Sequence, residues 1–238
     1  MIANGGYPFP VAENFVPLSD AAGEIAEVGE AVSDLQKGDW AIANFDVTNL
    51  YGTQSDWEHG LGGPIDGVLR EYVAIPAAAI VKIPKTTKLS WGHLASLVCT
   101  GITAWNALYG NLPLKPGQTI LAIGTGGVSM TATIFAKAAG AKVIITSSSD
   151  DKLKVAKEKY GADHGINYKK TPNWSDEVNK ITDGKGVDFV IENGGSGTIE
   201  QSIGCVARGG IVSVIGFLAP AEKMPDVASL VLGKGCVV

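Results

Sequence analysis

Cysteine is scarce. Cys99, Cys205 and Cys236 are the only three in 238 residues, and they are widely spaced. An odd, scattered set does not make a disulfide scaffold, and a reducing, cytoplasmic compartment is the simplest expectation. Histidine is equally sparse: His59, His93 and His164 lie far apart, each expected on a surface or a helix rather than as a metal ligand. Lys and Arg number 19 against 24 Asp and Glu, a formal net charge of −5, with no basic stripe. That balance argues against a nucleic-acid groove or a membrane-binding patch. No apolar run is long enough to span a bilayer. Residues 1–10 have neither the basic start nor the apolar stretch of a signal peptide. Glycine, by contrast, is abundant: 31 residues, about twice the usual ~7% share, without a collagen period. Many turns or close backbone approaches are expected. A chain that is 45% hydrophobic and 18% charged is not a disordered acidic one, and its length suits one large or two modest domains around a buried core.

The first 113 residues read as strands and loops. Residues 23–28 alternate apolar and polar, and a turn at Lys37-Gly38-Asp39 leads into a strand at 40–43. Residues 49–67 have little periodicity and read as a long surface loop. Residues 71–83 return to strand, Ser90 caps a helix running through Cys99, and a second helix covers 103–109. From Lys115 short apolar runs alternate with helical segments. Strands are expected at 119–123, 142–146, 165–168, 187–191 and 211–215, and helices at 129–139, 151–160, 175–182 and 199–207. Apolar strands without polar alternation, set between helices, indicate a parallel sheet covered on both faces. The class is therefore α/β, a doubly wound fold, and Cys236-Val237-Val238 reads as the opening of a sixth strand.

Gly124-Thr125-Gly126-Gly127-Val128-Ser129 stands between the first strand and first helix of this unit. It keeps the first two glycines of a G-x-G-x-x-G turn, with Ser129 in place of the third. In a strand–turn–helix context, such a turn presents free N–H groups and a helix dipole to a pyrophosphate. The next strand ends in Ser147-Ser148-Ser149, where an NAD-preferring site places Asp or Glu. Hydroxyls and a nearby cation accept the 2′-phosphate that an acid would repel. Lys152 is that cation, Ser149 has a separate duty as helix cap, and Asp150 and Asp151 weigh against the assignment. NADPH is expected over NADH. Tyr168, at the end of the third strand, either borders the adenine or is an ordinary edge residue.

These stretches resemble the medium-chain dehydrogenase/reductase superfamily, in particular its zinc-independent, quinone-oxidoreductase-like branch, which includes zinc-type alcohol dehydrogenase-like proteins. The resemblance runs through VPLSDAAGEIAEVGEAVSDLQKGDW, LGGPIDGVLREYVAIP, LVCTGITAWNAL, LKPGQTILAIGTGGVSMTATIFAKAAGAKVIITSSSDDKL, GADHGINYKKTPNW and GTIEQSIGCVARGGIVSVIGF. It implies a GroES-like catalytic domain over residues 1–113, lacking its first strands and ending in interdomain helices. A Rossmann NAD(P)-binding domain over 114–238, lacking its C-terminal part, would follow, with the cofactor in the cleft between them. By the same resemblance, Gly124, Gly126, Gly127, Val128 and Ser129 would hold the pyrophosphate. Ser147, Ser148 and Lys152 would face the 2′-phosphate, and Tyr168 the adenosine. Asn193, Gly216, Phe217 and Leu218 would line the ribose and nicotinamide, with Thr103 approaching from a helix.

The departures from the family are informative. Zinc enzymes of this family carry a His-Glu pair where this chain has Ser19-Asp20. Cys99 alone falls at a zinc-liganding position, and one thiol cannot make a site that needs three protein ligands. The stretch expected to hold a four-cysteine structural zinc, 44–67, has no cysteine. No zinc is therefore expected. Without that Lewis acid, hydride transfer from NADPH suits an activated alkene, quinone or carbonyl, whose developing charge delocalises onto an oxygen. A metal-free alcohol dehydrogenase, and a non-catalytic dinucleotide-binding protein or inactive fragment, are the alternatives. Tyr51, Trp57 and Asp66 fall near the expected cleft loop, but none has a partner in sequence that makes it an acid, and no catalytic residue is assigned. The partner is a small-molecule substrate, and self-association into a homo-oligomer is expected if missing strands leave edges unpaired.

Overall fold

The computed structural model describes residue 2, residues 5–7 and residues 11–238, in two compact units, Met1–Thr100 and Gly101–Val238.

In the first unit an antiparallel sheet is built from β1 (Ala22–Glu24), β2 (Trp40–Ala43) and β3 (Ile80–Ile83), in that order. The β1 ladder is shorter than the alternation over 23–28 predicts. Its partner turns away at residues 36–39, so pairing stops at Ile25, whose N–H donates to Asp39 O and whose O accepts from the Gly38 N–H. The 71–83 strand likewise shrinks to β3, because Pro76 starts a 3-10 turn, Ala77–Ala79, closed by the Ala79 N–H on Pro76 O. Ser90 caps α1 (Trp91–Ser96) by accepting the His93 N–H, as the sequence predicts. The continuation through Cys99 is a π-helical turn, Leu97–Gly101, rather than α-helix. Residues 49–67 form no strand or helix. They are gathered by Asp46, a buried carboxylate accepting from Thr48 N and Oγ1, Asn49 N and Gln54 Nε2 at 2.8–3.0 Å.

In the second unit α2 (Ile102–Tyr109) precedes an alternation of strand and helix: β4 (Thr119–Ala122), α3 (Gly127–Ala138), β5 (Lys142–Ser147), α4 (Asp150–Tyr160), β6 (His164–Asn167), α5 (Trp174–Ile181), β7 (Val187–Glu192), α6 (Ile199–Cys205), β8 (Val206–Val214) and α7 (Val227–Lys234). The five strands form a parallel sheet in the order β6-β5-β4-β7-β8. Their apolar runs are buried on both faces. Ile120, Ala122, Val143, Ile145, Phe189 and Ile191 join one core with residues of α2, α3 and α4. The alternate positions Leu121, Ile144, Val190 and Val212 join Trp174, Val178 and Ile203 of α5 and α6 in the other. This is the two-sided burial that unalternating strands predict. Each fully buried Leu or Ile contributes ~1.5–3 kcal/mol.

The largest differences from the sequence reading in this unit lie toward its C-terminal end. The helix over 199–207 stops at Cys205, and β8 begins at Val206, bulging opposite β7 before Ile211. The helix α7 is absent from the sequence reading. Its inward face, Val227, Leu230 and Val231, packs half-buried on the second core, but Ala228 and the exposed Leu232 make the outer face apolar too, which blunts the contrast between faces. The sixth strand reduces to an isolated parallel bridge between Val237 and Ile211.

Candidate dinucleotide site

Strand order reverses between β4, which leads to β5 on one side, and β7 on the other. Doubly wound sheets bind ligands outside the carboxyl ends of the strands at such a point. The turn from β4 into α3 lies there. Gly124 has φ +78°, a conformation costly for any other residue, and its N–H donates to Thr146 Oγ1 at 3.0 Å. A Cβ at Gly124 or Gly126 would meet nothing within 4 Å, so this side of the turn is open backbone. Gly126 begins α3 in extended conformation, and no side chain caps the helix. The first N–H groups of α3, from Gly127 to Ser129, thus have no side-chain acceptor at the helix start, an arrangement suited to an anion. An open glycine turn at an uncapped helix end is a cradle that fits a dinucleotide pyrophosphate.

Ser129 proves to be more than a small substitute for glycine. It is 1% exposed, its Oγ donates to Ile123 O at 2.7 Å, and it accepts from Asn193 Nδ2 at 2.9 Å. Asn193 Nδ2 also reaches Ile123 O at 3.3 Å. Asn193 therefore ties the carboxyl end of β7 to that of β4 across the switch point, with both amide hydrogens committed to the turn.

At the end of β5, Ser147 is 3% exposed and its hydroxyl lies 3.1 Å from Thr125 Oγ1, joining the strand end to the glycine turn. Ser149 caps α4 by accepting the Lys152 N–H, as the sequence predicts. Ser148 is half-buried, and the exposed Lys152 lines a shallow depression of about 360 Å³ with Thr125, Met130, Asp151, Val155 and Tyr160. Asp150, which threatened to repel a phosphate, takes hydrogen bonds from Asn167 Nδ2 at 2.8 Å and Lys170 Nζ at 2.5 Å. Those two contacts hold its carboxyl below the usual range and offset its charge. Tyr168 follows β6, its N–H on Ser147 O at 3.1 Å, with its side chain 40% exposed. Gly216 and Leu218 donate their N–H groups to Glu192 O and Asn193 O, at 3.1 and 3.3 Å, and Phe217 lies between them. Thr103 is half-buried on α2, a helix packed against α3 and β7. The structure thus joins the turn residues, Ser147 and Asn193 at the strand ends, while no hydrogen bond links Thr103 to them. Thr125, Thr146 and Glu192 were missed by sequence reasoning. Only Thr125, inside the glycine motif, carried a signal.

In the first unit, Asp20 Oδ1 accepts from Ser19 Oγ at 3.0 Å and from the Cys99 N–H at 3.1 Å. Burial raises its pKa, against those two hydrogen bonds. One carboxylate with an oxygen already engaged, one serine hydroxyl and one cysteine do not fit the three-ligand set of a catalytic zinc. Among the described residues no group of three or more His, Cys, Asp or Glu comes together. Asp66 accepts from Val16 N and Arg70 Nη2, both at 2.8 Å, which hold its carboxyl below the usual range. No helix among the described residues is long and apolar enough to cross a membrane.

Two family profiles match the chain: Alcohol dehydrogenase GroES-like domain over residues 1–85 and Zinc-binding dehydrogenase over residues 127–237. A zinc-type alcohol dehydrogenase-like protein of Schizosaccharomyces pombe is 47% identical over 235 residues, covering 97% of this chain and 67% of that protein. Among solved structures, a putative alcohol dehydrogenase from Sinorhizobium meliloti superposes with a TM-score of 0.84 at 38% identity, covering 99% of this chain and 70% of that one. The Escherichia coli quinone oxidoreductase complexed with NADPH superposes with a TM-score of 0.76 at 26% identity, covering 100% and 66%. The chain spans 55–67% of the length of the curated relatives it matches.

Proposed function

The chain belongs to the medium-chain dehydrogenase/reductase superfamily, and on that footing we propose that it is an NADPH-dependent oxidoreductase acting without zinc on an activated alkene, quinone or carbonyl. One observation carries the reading. At the switch point an open glycine turn meets an uncapped helix, and the strand beside it ends at Ser147, followed by Ser148, with Lys152 in the first turn of the next helix, where an NAD-preferring site would end its strand in an acid.

When bound, NADPH supplies the hydride. The N–H groups of Gly127, Val128 and Ser129 hold the pyrophosphate at the positive end of α3. Ser148 and Lys152 receive the 2′-phosphate through a hydroxyl and a cation, and Ser147 fixes the strand end against Thr125 so that both stand in place. Tyr168 borders the adenosine. Asn193, Gly216, Phe217 and Leu218 orient the nicotinamide side, and Thr103 closes it from α2. A substrate that spreads developing charge onto a conjugated oxygen needs only hydrogen-bond donors, which matches a donor set that does not suit zinc. The quinone oxidoreductase complexed with NADPH supports the same cofactor and substrate class. The substrate is a small molecule, and a reducing cytoplasm is the proposed setting.

The test is NADPH oxidation by the purified chain, before and after metal chelation, against enones, quinones and simple alcohols. Turnover of an enone or quinone that survives chelation is expected. Turnover confined to simple alcohols, or abolished by chelation, would overturn the reading.

A further inference from the structure

Glu192, the last residue of β7, is 0% exposed. All of its side-chain hydrogen bonds run to the segment that follows it. Oε1 accepts from Gly194 N at 2.6 Å, Gly195 N at 3.0 Å and Thr198 Oγ1 at 2.6 Å, and Oε2 accepts from Ser202 Oγ. Thr198 stands at the N-cap of α6 and makes no cap bond; its hydroxyl is turned to Glu192. A buried carboxylate persists only where donors replace its water. Here they do, and residues 193–198 are fixed around it.

That segment in turn holds residues 215–219. The N–H groups of Ile215 and Gly216 donate to Glu192 O at 2.8 and 3.1 Å, Ala219 N to Gly194 O at 2.8 Å and Gly197 N to Ala219 O at 2.8 Å. The two strands of chain lie too close for side chains. A Cβ on Gly195 would stand 2.8 Å from Gly216 O, and one on Gly216 would stand 2.3 Å from Asn193 O. Glu192 thus anchors the first loop, the first loop carries Gly216-Phe217-Leu218, and Asn193 between them grips the phosphate turn.

We propose that Glu192 is a positioning residue for the nicotinamide half of the dinucleotide, acting through the 193–198 and 215–219 loops while touching no ligand itself. The inference rests on the dinucleotide reading above and adds a division of labour. The adenosine half is held at β5 and α4, independently of Glu192. The nicotinamide half depends on it.

The experiment is direct calorimetric titration of the folded chain with NADPH and, separately, with adenosine 2′,5′-bisphosphate, which lacks the nicotinamide side. Glu192→Leu removes every acceptor. It is expected to weaken NADPH tenfold or more, the effect of unpairing buried donors worth about 1–3 kcal/mol, and to leave the bisphosphate unchanged. Thr198→Val removes one donor and no backbone contact, and a loss of about fivefold is expected, again for NADPH alone. Glu192→Gln keeps the oxygen that takes three of the four bonds and should stay within a few-fold of the parent. Should Glu192→Leu fail to fold, the Thr198→Val titrations decide alone. Parallel losses for both ligands, no loss for either, or a Gln variant as weak as the Leu variant would overturn the assignment. An unmodified chain that binds neither ligand would refute the dinucleotide reading itself, a distinct outcome.

Discussion

Returning position 129 to the glycine of the G-x-G-x-x-G motif is expected to destabilise the second unit. The Ser129 hydroxyl is buried, donates to Ile123 O at 2.7 Å and accepts from Asn193 Nδ2 at 2.9 Å. A net intramolecular hydrogen bond contributes about 1 kcal/mol, so Ser129→Ala should cost roughly 2 kcal/mol. Ser129→Gly should cost roughly 1 kcal/mol more, because glycine is the poorer helix former in the first turn of α3. The two bonds share one oxygen, so Asn193→Ala combined with Ser129→Ala should cost less than the sum of the single changes. Urea unfolding followed by circular dichroism measures the four variants, Asn193→Ala alone included, against the parent. A Ser129→Ala variant within about 0.5 kcal/mol of the parent, or a Ser129→Gly variant more stable than the alanine one, would refute the reasoning.

Lys152→Ala should weaken NADPH by roughly 5–30-fold and leave NADH unchanged. A charge-assisted bond of about 1.5–3 kcal/mol is trimmed by solvent to ~1–2 kcal/mol, and the effect should shrink in high salt; a loss shared by both cofactors would misplace the 2′-phosphate. Burial of Asp163 opposes its charge, but Lys137 Nζ at 2.9 Å and the Val143 N–H at 2.7 Å outweigh that and lower its pKa. Its stabilisation should therefore be complete above about pH 4 and fade as pH falls through the depressed folded value, so Asp163→Asn should flatten the acid limb of the stability profile. Burial pushes the Cys205 thiol up to about 12. Iodoacetamide at pH 8 should spare it in the folded chain and modify it only after denaturation, as mass spectrometry would read.

The sheet was legible because its strands obey one rule. Ile120-Leu121-Ala122 and Val143-Ile144-Ile145 lack polar alternation, and a strand buried on both faces has no reason to alternate. The glycine turn was legible because its strand–turn–helix context could be read on either side of it. What escaped depends on partners distant in sequence. The bonds from Asn193 to Ile123 and Ser129 cross 70 and 64 residues, and they give Asn193 a bracing role at the turn that no local pattern announces. Glu192 reads as an acid closing an apolar strand, and nothing local reveals that Gly194, Gly195, Thr198 and Ser202 will fold back on it. Helix α7 escaped for another reason: Val227, Leu230 and Val231 face the core, but the exposed Leu232 and Ala228 leave the outer face apolar as well, so the contrast between faces is weak. In the first unit the β1 boundary moved because a partner strand turned away, an effect of pairing, and the β3 boundary because a 3-10 turn opens at Pro76.

The most direct test of the account is calorimetric titration of the unmodified chain with NADPH and with NADH, in the presence of a metal chelator. Ser148 and Lys152 predict NADPH binding at least tenfold tighter than NADH, with no dependence on the chelator. Equal affinities, a preference for NADH, or binding that needs a metal would contradict it.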